Sequence, residues 1–184
     1  MKVFTFLVVA GILAVQTISS AQAQVASPVA TIIDPITVRV GVDWPNAAST
    51  RYWTGSSPFS IGIDYALAQS GLSETNISSA YADYYGGDTN GGHVNAFGIG
   101  LQNKVFLNNA SAGNPMTGLS VYAGGGTGAY RLEDSNGTGT TIGAKAFVGV
   151  EFSRRYIVQL NYLFLPQETG LNASGFGLQV GMRM

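Results

Sequence analysis

The chain has 184 residues, of which 10% are charged, with a net charge of −1, 25 glycines and no cysteine. The length predicts one domain, and the charged fraction is far below the roughly 25% of a typical soluble domain. The charge balance excludes a basic nucleic-acid footprint, and the missing cysteines exclude a disulfide framework and zinc-thiolate chemistry.

Residues 1–23 have the pattern of an export signal. Lys2 precedes an apolar run, and Ala21-Gln22-Ala23 forms a small-x-small cleavage site near Gln24. The apolar run is shorter than the roughly 20 residues of a spanning helix. Residues 24–35 read as a linker, with Pro28 and Pro35 near its ends. Residues 29–33 have the composition of a short extra strand with no evident partner. No later segment reads as a spanning helix, so membrane insertion requires a closed sheet that satisfies every backbone group.

Period-two alternation then predicts eight strands. In residues 36–44, Ile36, Val38, Val40, Val42 and Trp44 alternate with Thr37, Arg39, Gly41 and Asp43, and Pro45 ends the strand. Residues 46–57 form a polar loop carrying Arg51, Tyr52 and Trp53. The second strand, 59–68, sets Phe59, Ile61, Ile63, Tyr65 and Leu67 against Ser60, Gly62 and Asp64. In the third, 75–85, Ile77, Tyr81 and Tyr85 are expected to face out, with Ser79 and Asp83 interrupting that face. A turn cluster, 86–92, precedes the fourth strand, 93–107. There Phe97, Ile99 and Leu101 oppose Gly98, Gly100, Gln102 and Lys104, and Asn103 on the apolar face predicts a bulge or a membrane boundary. The fifth strand, 117–130, ends in a glycine run and is followed by an Asp/Asn/Gly loop at 132–139. The eighth, 174–184, sets Phe176, Leu178, Val180, Met182 and Met184 against Gly177, Gln179, Gly181 and Arg183.

Residues 140–166 supply strands six and seven around the turn Ser153-Arg154-Arg155. Each strand is about 11 residues, the length of a tilted membrane-spanning strand. One face is continuously apolar. In the sixth strand the other is mostly glycine, with Lys145 and Glu151. Small residues with scattered charges suit the crowded inside of a small barrel, and the apolar face suits lipid. The expected fold is therefore all-β: an eight-stranded antiparallel up-and-down transmembrane β-barrel over residues 36–184. Connections one, three, five and seven are long or rich in Gly, Asn and Asp, as external loops are. Trp44, Phe59, Tyr85 and Phe164 are expected as an outer aromatic girdle, and Phe106, Phe152 and Tyr156 as a periplasmic one. Arg39, Asp43, Asp64, Lys104, Lys145, Glu151 and Arg183 all fall on the small-residue face and are expected to form an interior charge network. In it Glu151 is the expected hub for Arg39 and Arg183. Tyr122, Phe147, Gln159, Asn161 and Gln179 are expected to fill the interior.

From Phe176 to Met184 the chain resembles the last strand of eight-stranded bacterial outer-membrane β-barrels of the OmpA/OmpX type. The resemblance is architectural and covers roughly residues 36–184. It implies location in the bacterial outer membrane, contact with outer-membrane lipid, and recognition of the last strand by the barrel-assembly machinery. Met184 stands where that family usually has Phe or Trp.

Candidate chemistry is sparse. His93 is the only histidine. It lies near Asp88 without an oxyanion site at fixed spacing, so it reads as a solvated rim residue. Gly124-Gly125-Gly126-Thr127-Gly128 lacks the lysine and helix of a phosphate loop and reads as room for side chains across a narrow barrel. Asp88-Thr89-Asn90-Gly91 and Asp134-Ser135-Asn136-Gly137 lack the closing glutamate of a calcium loop and read as turns. Four Asn-x-Ser/Thr sequons are chance matches in an Asn-, Ser- and Thr-rich chain. Arg51, Tyr52 and Trp53 are the candidate external contact, with an interfacial anchor as the competing role. No cofactor or metal is expected. The resulting expectation is a monomeric, non-enzymatic barrel that spans the membrane and presents loops. A narrow channel and a soluble lipocalin-like barrel with an apolar ligand are the alternatives.

Overall fold

A computed structural model describes residues 35–70, 76–90, 92–107, 119–135, 137–153, 155–166 and 172–184. The expected export signal lies outside the described residues, as does the linker apart from Pro35. The connection at 108–116 also lies outside them.

Eight strands close into one antiparallel barrel, each paired with the next and the last with the first. They are β1 (Ile36–Pro45), β2 (Phe59–Ser70), β3 (Asn76–Thr89), β4 (Gly92–Phe106), β5 (Leu119–Asp134), β6 (Gly137–Phe152), β7 (Tyr156–Phe164) and β8 (Gly175–Arg183). Between β1 and β2 the structure places a short helix, α1 (Ala48–Thr54), where the sequence predicts only a polar loop. The seam is regular: Thr37 faces Arg183, Gly41 faces Gln179 and Pro45 faces Gly175. Closure matters physically because an open edge would leave a row of unpaired N–H and C=O groups.

The pleat sorts the side chains. Thr37, Arg39 and Asp43 of β1 are buried, while Val40 and Trp44 are exposed. Ile63, Tyr65, Ile99, Leu101, Val148, Leu160, Leu178 and Val180 are likewise exposed. The interior holds the polar and charged residues together with two aromatic-rich clusters. One is Ile77, Phe106, Tyr122, Phe147 and Ile157. The other includes Tyr81, Tyr85, Tyr130, Leu132, Leu163 and Leu165.

Strand β3 corrects the sequence expectation. Ile77, Tyr81 and Tyr85 point inward with Ser79, and Asp83 engages interior cations from the same face. A strand's faces alternate strictly, so the charge and its aromatic neighbours share one destination. Phe106 is corrected by the same rule. It shares the parity of Gln102 and Lys104, and all three are buried. Tyr85 and Phe106 therefore leave the aromatic girdles. The expected bulge at Asn103 is absent from the register, since Asn103 pairs regularly with Ser78 and Gly125. Its amide nitrogen donates to Ser78 Oγ at 3.1 Å, which joins two polar neighbours of β3 and β4. The irregularity lies instead in β2, between Ala66 and Ala68.

The strands are unequal. β7 and β8 have 9 residues each, whereas β5 and β6 have 16. The predicted loops 86–92 and 132–139 are largely strand, reaching Thr89↔Gly92 and Asp134↔Gly137 before turning. Asn90, at φ 53°, supplies the left-handed residue of the first turn. Pairing of β6 with β7 begins only at Ala144↔Phe164, so one side of the barrel stands well above the other.

Glycines make room for the interior rings. A Cβ on Gly98 would overlap the buried Tyr130 ring, whereas one on Gly137 would meet nothing within 4 Å. Overpacking a filled interior costs about 1–3 kcal/mol. Urea unfolding in lipid vesicles is expected to show Gly98→Ala destabilised by that amount and Gly137→Ala close to the parent. Equal stability of the two variants would contradict this packing.

Candidate functional site

The centre of the barrel is an ion cluster built by four strands. Arg39 of β1 donates from Nη2 to Asp64 Oδ1 at 2.7 Å and to Asp83 Oδ1 at 2.9 Å, and from Nε to Asp64 Oδ2 at 3.1 Å. Its Nη1 donates to Gln179 Oε1. Lys145 of β6 donates to Asp83 Oδ2 at 2.7 Å and lies 3.4 Å from the Tyr81 ring centroid. Asp83 thus bridges two cations. Gly62 lets the guanidinium lie flat, because a Cβ there would sit 2.7 Å from Arg39 Nη2.

The polar column continues in both directions. Toward α1, Ser60 donates to Asp43, and Gln179 Nε2 donates to Ser60 Oγ at 3.3 Å. Gly177 leaves space for Asp43 and Asn161 on either side of it. Toward the chain termini, Tyr122 donates to Gln159 Oε1 at 3.2 Å. Arg183 Nη2 pairs with Glu151 Oε2 at 3.0 Å. Lys104 is buried against rings, 4.5 Å from the Tyr122 centroid and 5.8 Å from that of Phe106.

All seven residues of the expected network are inside, but their grouping differs. Glu151 binds Arg183 and not Arg39, so it is a local partner and Asp83 is the hub. Arg39 sits one layer higher, across from Gly62 of β2 and Gly181 of β8, within reach of Asp64 and Asp83. Asp83 was masked by the large side chains that share its face. Cross-strand size complementarity carried the missing signal. Tyr81 lies opposite Gly100, a pairing that fits a crowded interior better than a lipid face.

The column leaves little space. A cavity of about 20 Å³ between Asp43, Asp83, Lys145, Asn161 and Gln179 has room for about one water molecule. Above it the mouth is stoppered. The Tyr81 and Tyr130 hydroxyls meet at 3.0 Å, and Tyr85 donates to the Ala173 carbonyl at 2.8 Å. Thr50 of α1 donates to the Asn172 carbonyl at 2.8 Å, tying the helix to the last loop.

On the outer rim, Arg51 is held by its own chain, donating from Nη1 to the carbonyls of Pro45 at 2.7 Å and Asn46 at 2.6 Å. Tyr52 is exposed, and its carbonyl accepts from Thr89 and Asn90 of the neighbouring turn. The side chain of Trp53 lies outside the described residues. His93 Nε2 is 3.9 Å from Glu133 Oε1, both solvent-exposed. Among the described residues no group of three or more His, Cys, Asp or Glu is placed to hold a metal. Trp44, Phe59, Phe152 and Tyr156 face outward and exposed, and Phe164 is half-buried. Tyr162 and Phe176, which the sequence reading left out of the girdles, form an edge-to-face pair beside Trp44, with centroids 4.8 Å apart.

No protein-family model matches the chain, and no curated protein matches it in sequence. The fold is that of eight-stranded outer-membrane barrels. Neisserial surface protein A superposes with a TM-score of 0.59 at 14% identity, over 81% of this chain and 94% of that one. The N-terminal β-barrel domain of Pseudomonas aeruginosa OprF matches with a TM-score of 0.48 at 14% identity, over 81% and 96%. Ail of Yersinia pestis matches with a TM-score of 0.42 at 10% identity, over 83% and 100%.

Removing a hub that serves two buried cations costs more than removing the partner of one half-buried cation. Breaking a buried pair costs about 3–5 kcal/mol when no water replaces it. Urea unfolding is expected to place Asp83→Ala in that range. Glu151→Ala should cost less, since the Arg183 side chain is 18% exposed. The reverse order would show that Glu151 carries the network.

Proposed function

We propose that this chain is a non-enzymatic β-barrel of the bacterial outer membrane, which spans the bilayer and holds a rigid surface toward the outside. The observation that carries this reading is the inverted polarity of the sheet. Arg39, Asp64, Asp83, Lys145, Glu151 and Arg183 are inside and paired with one another, while Ile99 at 54% and Leu101 at 58% exposure are outside. In water that arrangement is unfavourable on both faces, and in lipid it is favourable on both. The fold shared with Neisserial surface protein A supports the same location.

Chain direction gives the orientation. The β1 start, the β8 end and the Ser153–Arg155 turn share the periplasmic rim, with Ile36 N donating to Met184 O at 3.0 Å. The opposite rim carries α1 and the raised β3–β6 sheet, which become the external surface. Tyr52 and the hairpin tips are its exposed contact groups, and Arg51 serves to fasten the helix. The last strand turns Phe176, Leu178 and Val180 outward at the closing seam, where the assembly machinery would engage it. A monomer is sufficient, since the barrel closes within one chain.

Of the alternatives, a lipocalin-like carrier needs a large apolar cavity, whereas the cavity among the described interior residues Asp43, Asp83, Lys145, Asn161 and Gln179 has room for about one water. A channel needs a continuous path and meets Arg39, Tyr130 and Lys145, all almost fully buried.

Two measurements test the reading. Cell fractionation should place the mature chain in the outer membrane, with gel mobility that changes on heating. In planar bilayers the purified protein should give no stable conductance steps in the range of about hundreds of picosiemens, the size of a real pore. Reproducible steps of that size would make it a channel.

A further inference from the structure

The lipid-facing wall is not uniform. Across β7, β8 and β1 the residues in register are small: Val158 lies beside Val180, and Val180 beside Val40. One layer nearer the chain termini, Tyr156, Met182 and Val38 lie side by side in the same way. Larger side chains flank this strip, with Ile63 and Tyr65 on β2 and Phe152 on β6 all exposed. The result is an apolar groove of about 420 Å³ on the outer wall, lined by the row Val158, Val180 and Val40, the row Tyr156, Met182 and Val38, and Met184. Its size falls in the range of small-ligand pockets, about 300–1,000 Å³.

At its lower end the groove meets positive charge. Arg155 N donates to the Phe152 carbonyl at 3.0 Å, and Arg183 N donates to the Arg155 carbonyl at 2.8 Å. These bonds pin the turn to the end of β8 and set exposed Arg155 beside the groove. Glu151, the acid on the neighbouring strand, points inward and is engaged by Arg183. Apolar groove and cation therefore follow each other in the order of acyl chain and headgroup at a membrane surface.

We propose that this groove is a binding site for one anionic phospholipid of the inner leaflet. An acyl chain lies along Val158, Val180 and Val40, and the headgroup phosphate lies on Arg155. Phosphatidylglycerol-type lipids fit the site because their net negative charge is not cancelled by an ammonium group. The inference rests on the reading of the barrel as membrane-spanning, and the test separates the two.

The reporter is Phe152→Trp in a Trp44→Phe, Trp53→Phe background, which removes both native tryptophans. It is reconstituted in phosphatidylcholine vesicles containing phosphatidylglycerol, with bromine quenchers on the acyl chains of one lipid or the other. One arginine near a membrane surface enriches anionic lipid about five-fold. Quenching should therefore report about five-fold enrichment of phosphatidylglycerol over phosphatidylcholine at the reporter. Arg155→Ala should bring that ratio to about one, and Arg131→Ala on the opposite rim should leave it unchanged. Val180→Phe, which fills the groove floor without touching the arginine, should also lower it. Equal quenching by both lipids in the parent, or a ratio that survives Arg155→Ala, overturns the site and leaves the barrel reading intact. Absence of quenching by either lipid overturns both.

Discussion

The central ion cluster of this barrel is arranged around neutralising Arg39. A guanidinium cannot be deprotonated to escape burial, so it must find anions. In an eight-stranded barrel the interior is one side chain wide, so those anions must come from neighbouring strands at the same height. Asp64 and Asp83 meet that need, and Gln179 takes the remaining donor from the other side. Asp83 then carries a second negative lone-pair direction that Lys145 occupies. Four strands are thereby locked in height relative to one another. A slip of one residue in any of them would turn a charge to the apolar outer face, so the cluster specifies register as well as contributing stability.

The same constraint explains the glycines. Each large interior group claims the space of its cross-strand neighbours. Tyr130 lies over Gly98 and Gly143, Tyr122 over Gly149, and Phe147 over Gly124. High glycine content here is therefore a packing requirement of a narrow closed sheet, and it accompanies aromatic side chains in register. The glycine run of β5 has no phosphate-binding role in this geometry. It is the face against which Gln102, Phe147 and Tyr81 are packed.

The architecture was legible because its cause is local. Period two, strand length and the end of each strand follow from neighbours in sequence, and β1, β2, β6, β7 and β8 carry them cleanly. The interior position of the expected charges was also legible, since parity alone assigns it. What was not legible is which charges touch. Arg39 and Asp83 are separated by 44 positions, and their meeting depends on the stagger of two strand pairs, β1 with β2 and β2 with β3, which no local pattern encodes. β3 failed for another reason. Its inward face holds Ile77, Tyr81 and Tyr85, so hydrophobicity pointed to lipid while Ser79 and Asp83 pointed inward. In a small barrel the interior is partly aromatic, and the charge is the more reliable guide because misplacing it costs more than misplacing a ring. Helix α1 escaped detection because it is seven residues long and its start has no side-chain cap. Arg51 holding the carbonyls of Pro45 and Asn46, and Thr50 reaching the last loop, keep it in place.

The two rims then differ in a way that follows from the strand lengths. At the terminal rim the β6–β7 connection is a tight turn, and the seam is finished by reciprocal bonds between Ile36 and Met184. At the other rim β3 to β6 continue past the last β7 pair while α1 and the Ala173 segment fold over the mouth. The tips of the raised sheet carry Asp88, His93 and Glu133 in solvent-accessible positions. Stability and surface are thus divided by depth. The buried ion cluster fixes the wall, and that rigidity lets an uneven rim project from it without compromising closure. Changes to the projecting residues leave the ion cluster untouched, whereas changes at Arg39 or Asp83 alter whether the wall forms.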